Sequence, residues 1–227
     1  MIEISNYKYT CNEDYFETID TEDKAYWLGF IYADGNVTKK ETALRIMLHT
    51  RDSEHLHTFL KHIGSNHKTF IRRLKEQDYI GIDIVKMNLV RHLIAKGCMP
   101  NKTRKLKFPP EDILPSYLHR HFIRGYFDGD GCVATRFRTQ TKNMKLYMDC
   151  VFRLLGTYDM MENIIRIIPV GDIKLKELKT SKGIFQFDIY DRKKVITLMD
   201  YLYEDTQLYL RRKHEKYIEE VKHYKTP

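Results

Sequence analysis

Two short segments of this 227-residue chain place acidic residues where they could do chemistry together. They are Trp27-Leu28-Gly29-Phe30-Ile31-Tyr32-Ala33-Asp34-Gly35 and Ile123-Arg124-Gly125-Tyr126-Phe127-Asp128-Gly129-Asp130-Gly131, which agree in small, aromatic and acidic positions. One Asp-Gly pair marks nothing beyond a turn. Two of them, each following small residues four apart, are a different matter. Gly29 and Ala33, and Gly125 and Gly129, lay a flat stripe along one face of each helix. Such stripes let two helix backbones approach closely, which brings Asp34 and Asp130 together at one end of the pair. Helix carbonyls there already carry partial negative charge, and two carboxylates cannot both ionise cheaply without a cation between them. An all-oxygen site suits Mg2+, which bridges carboxylates to phosphates and can activate water for phosphodiester hydrolysis. A calcium loop starting at Asp128 is excluded, because Cys132-Val133-Ala134-Thr135 supplies no further carboxylate.

The elements around the two segments repeat. In the first half, Asp20 or Thr21 is placed to cap a helix over Lys24–Ala33, with Gly35 as its left-handed stop. Leu44, Ile46 and Leu48 alternate with Arg45, Met47 and His49, and Ile80, Ile82 and Ile84 with Tyr79, Gly81 and Asp83, which predicts strands with one buried face. Helical spacing runs from Ser53 to Ile63 between them, and a further helix covers Asn88–Ala95, closing at Gly97. In the second half, Ser116 is placed to cap a helix over Tyr117–Phe127 that stops at the Asp128-Gly129-Asp130-Gly131 turn. Strands then run over Tyr147–Leu154 and Phe185–Tyr190, with a helix over Tyr158–Ile168 between them. Helices over Lys193–Tyr203 and Thr206–Tyr224 finish the chain. Four of the six prolines, Pro100, Pro109, Pro110 and Pro115, crowd between the halves and predict a linker. The expected organisation is a first repeat over 1–105, a linker over 106–116 and a second repeat over 117–227. The fold class is α+β, two pseudo-symmetric αββαββα repeats joined at a two-helix interface through Gly29 and Gly125.

Composition bounds the partners. The 39 Lys and Arg against 31 Asp and Glu give a net charge of +8, which favours a polyanion such as nucleic acid. Cys11, Cys98, Cys132 and Cys150 are scattered, which argues against a zinc site or disulfide framework. No long apolar run or secretory leader is present, so a soluble intracellular protein with no membrane partner is expected.

The paired segments resemble the double motif of the single-chain LAGLIDADG homing endonuclease family, and the similarity extends over nearly the whole chain. The resemblance implies a monomer that cuts both strands of a long asymmetric DNA site, leaving short 3′ overhangs. Its eighth motif residue binds catalytic metal, which maps onto Asp34 and Asp130, with the carbonyls of Ala33 and Gly129 assisting. It implies Mg2+ as cofactor, with Mn2+ able to substitute and Ca2+ binding without cleavage. It further implies a basic residue near the metals in each half, matched by Lys102 and Lys213. Trp27, Tyr32 and Arg124 depart from the motif without touching the metal ligands. The family scaffold also serves maturases that bind intron RNA and DNA-binding regulators, which are the alternative readings. Origin in a bacterium or phage would place the protein in the cytoplasm, and a eukaryotic intron in an organelle.

With one face of each sheet buried, the other presents side chains suited to base edges and phosphates. In the first half these are Asn36, Thr38, Lys40, Arg45, His49, Arg72, Lys75 and Tyr79. In the second they are Arg136, Arg138, Gln140, Arg153, Lys174, Lys176 and Gln186. Each sheet is thereby expected to form a DNA-binding saddle. His49 and Arg51 are placed to position the attacking water.

Overall fold

A computed structural model describes residues 9–140 and 145–222, without the side chains of 136–140 and 145–148. The first half runs α1 (Glu22–Asp34), β1 (Gly35–Val37), β2 (Leu44–His49), α2 (Ser53–His62), β3 (Phe70–Leu74), β4 (Gln77–Ile84) and α3 (Met87–Ala95). The second runs α4 (His119–Asp130), β5 (Cys132–Gln140), β6 (Lys145–Gly156), α5 (Tyr158–Ile167), β7 (Lys176–Glu177), β8 (Phe185–Ile189), α6 (Arg192–Tyr203) and α7 (Arg211–Lys216). Each half folds an antiparallel four-stranded sheet, ordered β1-β2-β4-β3 and β5-β6-β8-β7. The fold is therefore α+β with two αββαββα pseudo-repeats, as the alternating patterns predict.

The central pair is α1 against α4. Residues Ala25 to Tyr32 are buried on every side, which marks α1 as an interior helix. Thr21 caps it by accepting from the Lys24 amide, and Glu22 and Asp23 complement the dipole of its first turn. Gly29 and Gly125 make the close approach possible. A Cβ on Gly29 would overlap the Phe122 carbonyl and lie 2.9 Å from the Tyr126 nitrogen; one on Gly125 would overlap the Tyr26 carbonyl and lie 2.9 Å from the Phe30 nitrogen. Each glycine thus meets the residues three before and one after its counterpart, the signature of a local twofold.

Several local expectations are corrected. Gly35 is not a left-handed stop but extended, at φ −74°, because β1 begins there directly. Asp128, Gly129 and Asp130 are helical, and α4 ends at an extended Gly131. Ser116 caps nothing: residues 116–118 form a 3-10 turn, and α4 starts at His119 without a side-chain cap. The long final helix is also broken. Residues 206–210 are not helical, α7 covers only six residues, and wide π turns occupy Tyr217–Lys222. The break lets the Leu210 amide reach Asp128. Between the halves, the Leu106 carbonyl accepts from Thr157 Oγ1 at 2.6 Å and the Phe108 amide donates to Asp159 at 2.7 Å, which pins this stretch to the start of α5.

Candidate active site at the joined helix ends

Asp34 and Asp130 are the last residues of α1 and α4. The helices remain in contact to this end: a Cβ on Gly129 would overlap that of Ala33 and lie 3.5 Å from Asp34 Oδ2. Both carboxylates are exposed to solvent at the ends of their helices, with protein packed around the rest of each. Burial is the largest influence on each and raises both from the usual carboxylate range. Asp34 is pushed up to about 6, with the Asp130 charge adding to the burial and Lys213, Lys102 and Arg212 opposing it. Two raised carboxylates, one within reach of the other's charge, make a site that gains from a cation.

Two lysines cover the helix ends. Lys102 Nζ donates to the Ala33 carbonyl at 2.9 Å. It sits on a 3-10 turn introduced by Asn101 in the left-handed conformation. Lys213 Nζ donates to the carbonyls of Phe127 at 2.6 Å, Gly129 at 3.3 Å and Gly131 at 2.6 Å. Neither helix has a basic residue in its own last turn, so these imported ammonium groups compensate the carbonyl-end dipole. Burial pushes Lys213 down to about 8.

Beneath this layer lies a buried polar network that the sequence reading missed. Asp128, within the predicted turn, is fully buried and accepts from Tyr203 at 2.5 Å, Tyr26 at 2.7 Å and the Leu210 amide at 2.7 Å. That last bond fixes the entry to α7 and hence Lys213. In the first repeat the equivalent position holds Tyr32, whose hydroxyl donates to the Lys96 carbonyl ahead of Lys102. Arg124 is also fully buried, donating to the carbonyls of Leu208 at 2.9 Å and Leu202 at 3.1 Å, with its guanidinium 5.2 Å from the Tyr26 ring. Arg212 reaches across to Asp52 in the first half at 3.0 Å and borders, with Arg51 and Lys213, a cleft of about 460 Å³ beside Gly131.

The sheets' outer faces hold most of the remaining candidates. In register, Asn36 stands beside Arg45 and then Asp83, and His49 beside Tyr79 and then Arg72. Thr38, Lys40 and Lys75 are corrected from strand to turn positions, and Lys75 takes a left-handed φ of 46°. Arg153 and Gln186 lie on β6 and β8, Lys176 on β7, and Lys174 on the preceding loop. Arg136, Arg138 and Gln140 belong to β5, but their side chains lie outside the described ones. His49 ends β2, where its Nδ1 accepts from the Arg51 amide at 3.2 Å.

The donor set at the helix tips fits a divalent ion completed from outside the protein. Among the described residues no cluster of three or more metal-ligating side chains occurs, and two carboxylates flanked by backbone carbonyls leave positions for water and phosphate oxygens.

The sequence matches no protein-family model and no curated protein. Solved structures do match. The LAGLIDADG meganuclease I-AabMI bound to uncleaved DNA is 13% identical with a TM-score of 0.57, covering 85% of this chain and 86% of its own. The I-LtrWI LAGLIDADG homing endonuclease bound to target DNA is 13% identical at a TM-score of 0.56, covering 91% of this chain and 88% of its own. The I-SmaMI LAGLIDADG homing endonuclease bound to cleaved DNA is 10% identical at 0.57, covering 88% and 87%. I-SmaMI with an uncleaved target and calcium ions matches at 0.51, with 10% identity over 81% and 85%. What these chains share is the architecture, and this chain has the two-repeat fold of the LAGLIDADG homing endonucleases.

Proposed function

We propose that the chain is a site-specific DNA endonuclease that cuts both strands of a long asymmetric target, acting as a monomer with Mg2+. The observation that carries this reading is the convergence of Asp34 and Asp130 at the joined tips of α1 and α4, flanked by Lys102 and Lys213. Divalent ions bound there, Mg2+ or in its place Mn2+, would supply water activation and stabilisation of the leaving oxygen in phosphodiester hydrolysis. The protein's part is to position. Asp34 and Asp130 would hold the ions with help from the Ala33 and Gly129 carbonyls, one carboxylate from each repeat. Lys102 and Lys213 fix those carbonyls and place positive charge beside the scissile phosphates. The outer sheet faces would lie along the duplex on either side, with Asn36, Arg45, His49, Arg72 and Tyr79 from the first repeat and Arg153, Lys176 and Gln186 from the second. The repeats divide at 1–105 and 117–227, with 106–116 as linker. Support for DNA as partner comes from the net charge of +8 and from the DNA held by the structural neighbours. Among the described residues no helix is long and apolar enough to cross a membrane.

The test is to rebuild the host locus without the intervening gene and incubate it with the protein, first in Ca2+ and then in Mg2+. We expect salt-sensitive binding in Ca2+ and a double-strand break with short 3′ overhangs in Mg2+. Tight binding without any break assigns the chain to a regulator, and preference for the intron transcript assigns it to a maturase; either result overturns the endonuclease reading.

A further inference from the structure

The outer faces of the two sheets carry one device twice. In the first sheet, Arg45 stands in register between Asn36 and Asp83; in the second, Arg153 stands between Cys132 and Asp188. Asn36 and Cys132 each follow the glycine that closes a motif, so the two rows are equivalent under the local twofold. Arg45 donates from Nε to Asp83 Oδ1 at 2.6 Å and from Nη2 to Oδ2 at 2.7 Å. Arg153 donates from Nε to Asp188 Oδ1 at 2.6 Å. Asp188 is itself held by Gln186 at 3.0 Å and by the Tyr190 hydroxyl at 3.2 Å.

Partly exposed pairs of this kind add only modestly to stability. On a face that meets DNA, a bare carboxylate repels phosphate. Beside an arginine it does something else: it cancels the net charge, so attraction to the backbone falls, and it locks the guanidinium plane. Locking removes rotamer freedom before DNA arrives. Because Asp83 occupies the Nε–Nη2 edge of Arg45, the remaining Nη1–Nη2 edge is turned away from it. That fork matches the O6 and N7 acceptors of guanine in the major groove.

We propose that Arg45–Asp83 and Arg153–Asp188 are paired guanine readers, one for each half of the DNA site, with the aspartates as positioning residues. The proposal rests on the endonuclease reading above. Arg45 pairs with Asn36, which follows Asp34 by two residues, so each guanine belongs to the inner part of its half-site. The local twofold puts the two guanines on opposite strands at equal distances from the cut centre, within a target otherwise asymmetric.

The test selects bound sequences from a fully randomised duplex library in Ca2+, using wild type, Arg45→Ala, Arg153→Ala, Arg45→Gln and Asp83→Asn. Wild type is expected to enrich the symmetric guanine pair. Each alanine variant loses its own guanine preference, roughly ten- to hundredfold, and keeps the other. Arg45→Gln shifts that position toward adenine. Asp83→Asn weakens the preference while its melting temperature stays that of wild type, an outcome a merely structural ion pair would not give. An enriched site without these guanines, or one unchanged by the arginine variants, overturns the proposal and leaves the endonuclease reading standing. Enrichment of no sequence by wild type overturns both.

Discussion

Replacing Gly125 with alanine tests the helix contact on which the site depends. The added methyl would overlap the Tyr26 carbonyl and lie 2.9 Å from the Phe30 nitrogen. Both obstacles are backbone of α1, so no side chain can swing away. Overpacking against well-ordered neighbours costs about 1–3 kcal/mol and sometimes more, and a backbone obstacle belongs at the upper end. Alanine regains about 1 kcal/mol of helix propensity over glycine. The net is a loss of about 2 kcal/mol, which lowers the melting temperature by roughly 4–8 °C for a chain of this length. Gly29→Ala should behave alike, because its Cβ would meet Phe122 and Tyr126 in the same way. Gly171→Ala is the control, since its Cβ would meet nothing within 4 Å. Thermal unfolding followed by circular dichroism reads the result. If Gly125→Ala melts together with the Gly171→Ala control, the backbone-to-backbone packing described above is wrong.

Lys213→Met is expected to destabilise the chain by several kcal/mol in denaturant titration, because three bonds to buried or part-buried carbonyls are lost at once. Lys102→Met, which removes one such bond, should cost clearly less. Arg124→Met should cost several kcal/mol by the same measurement, since its loss strands the Leu202 and Leu208 carbonyls. Acid should weaken the fold through His55, whose pKa burial lowers from 6.5 to about 3, with the Arg212 charge adding. Its folded value lies below the unfolded one, so the neutral ring's contribution is complete above pH 6.5 and is lost as pH falls toward 3. A His55→Gln variant should show a shallower decline of melting temperature across that window.

Much of this could be read from residues alone. The paired small-xxx-small stripes and the alternation of Ile80, Ile82 and Ile84 are local patterns that the fold keeps, and Asp34 closes α1 as expected, whereas Asp130, expected in a turn, is the last residue of α4. What escaped depends on contacts distant in sequence. Asp128 and Asp130 look interchangeable in an acidic-glycine run, yet two residues on a helix point about 200° apart. One is therefore exposed at the helix end while the other turns into Tyr26 and Tyr203. Arg124 looks like a poor choice beside a glycine stripe. Its reason lies some eighty residues on, in the Leu202 carbonyl at the end of α6 and the Leu208 carbonyl where the chain from Thr206 to Leu210 is not helical. That stretch reads as helix by periodicity, but the pull of Asp128 on the Leu210 amide decides otherwise. The resemblance points to Lys213 as a basic residue near the helix ends, but its burial and its capping of α4 come only from the folded contact.

The central claim is that one carboxylate from each repeat serves a shared cutting site, and cleavage of a supercoiled plasmid carrying the target tests it most directly. In Mg2+ wild type should convert the plasmid to linear form, while Asp34→Asn and Asp130→Asn each bind it and fail to linearise it. Linear product formed at the wild-type rate by either single variant would contradict the account.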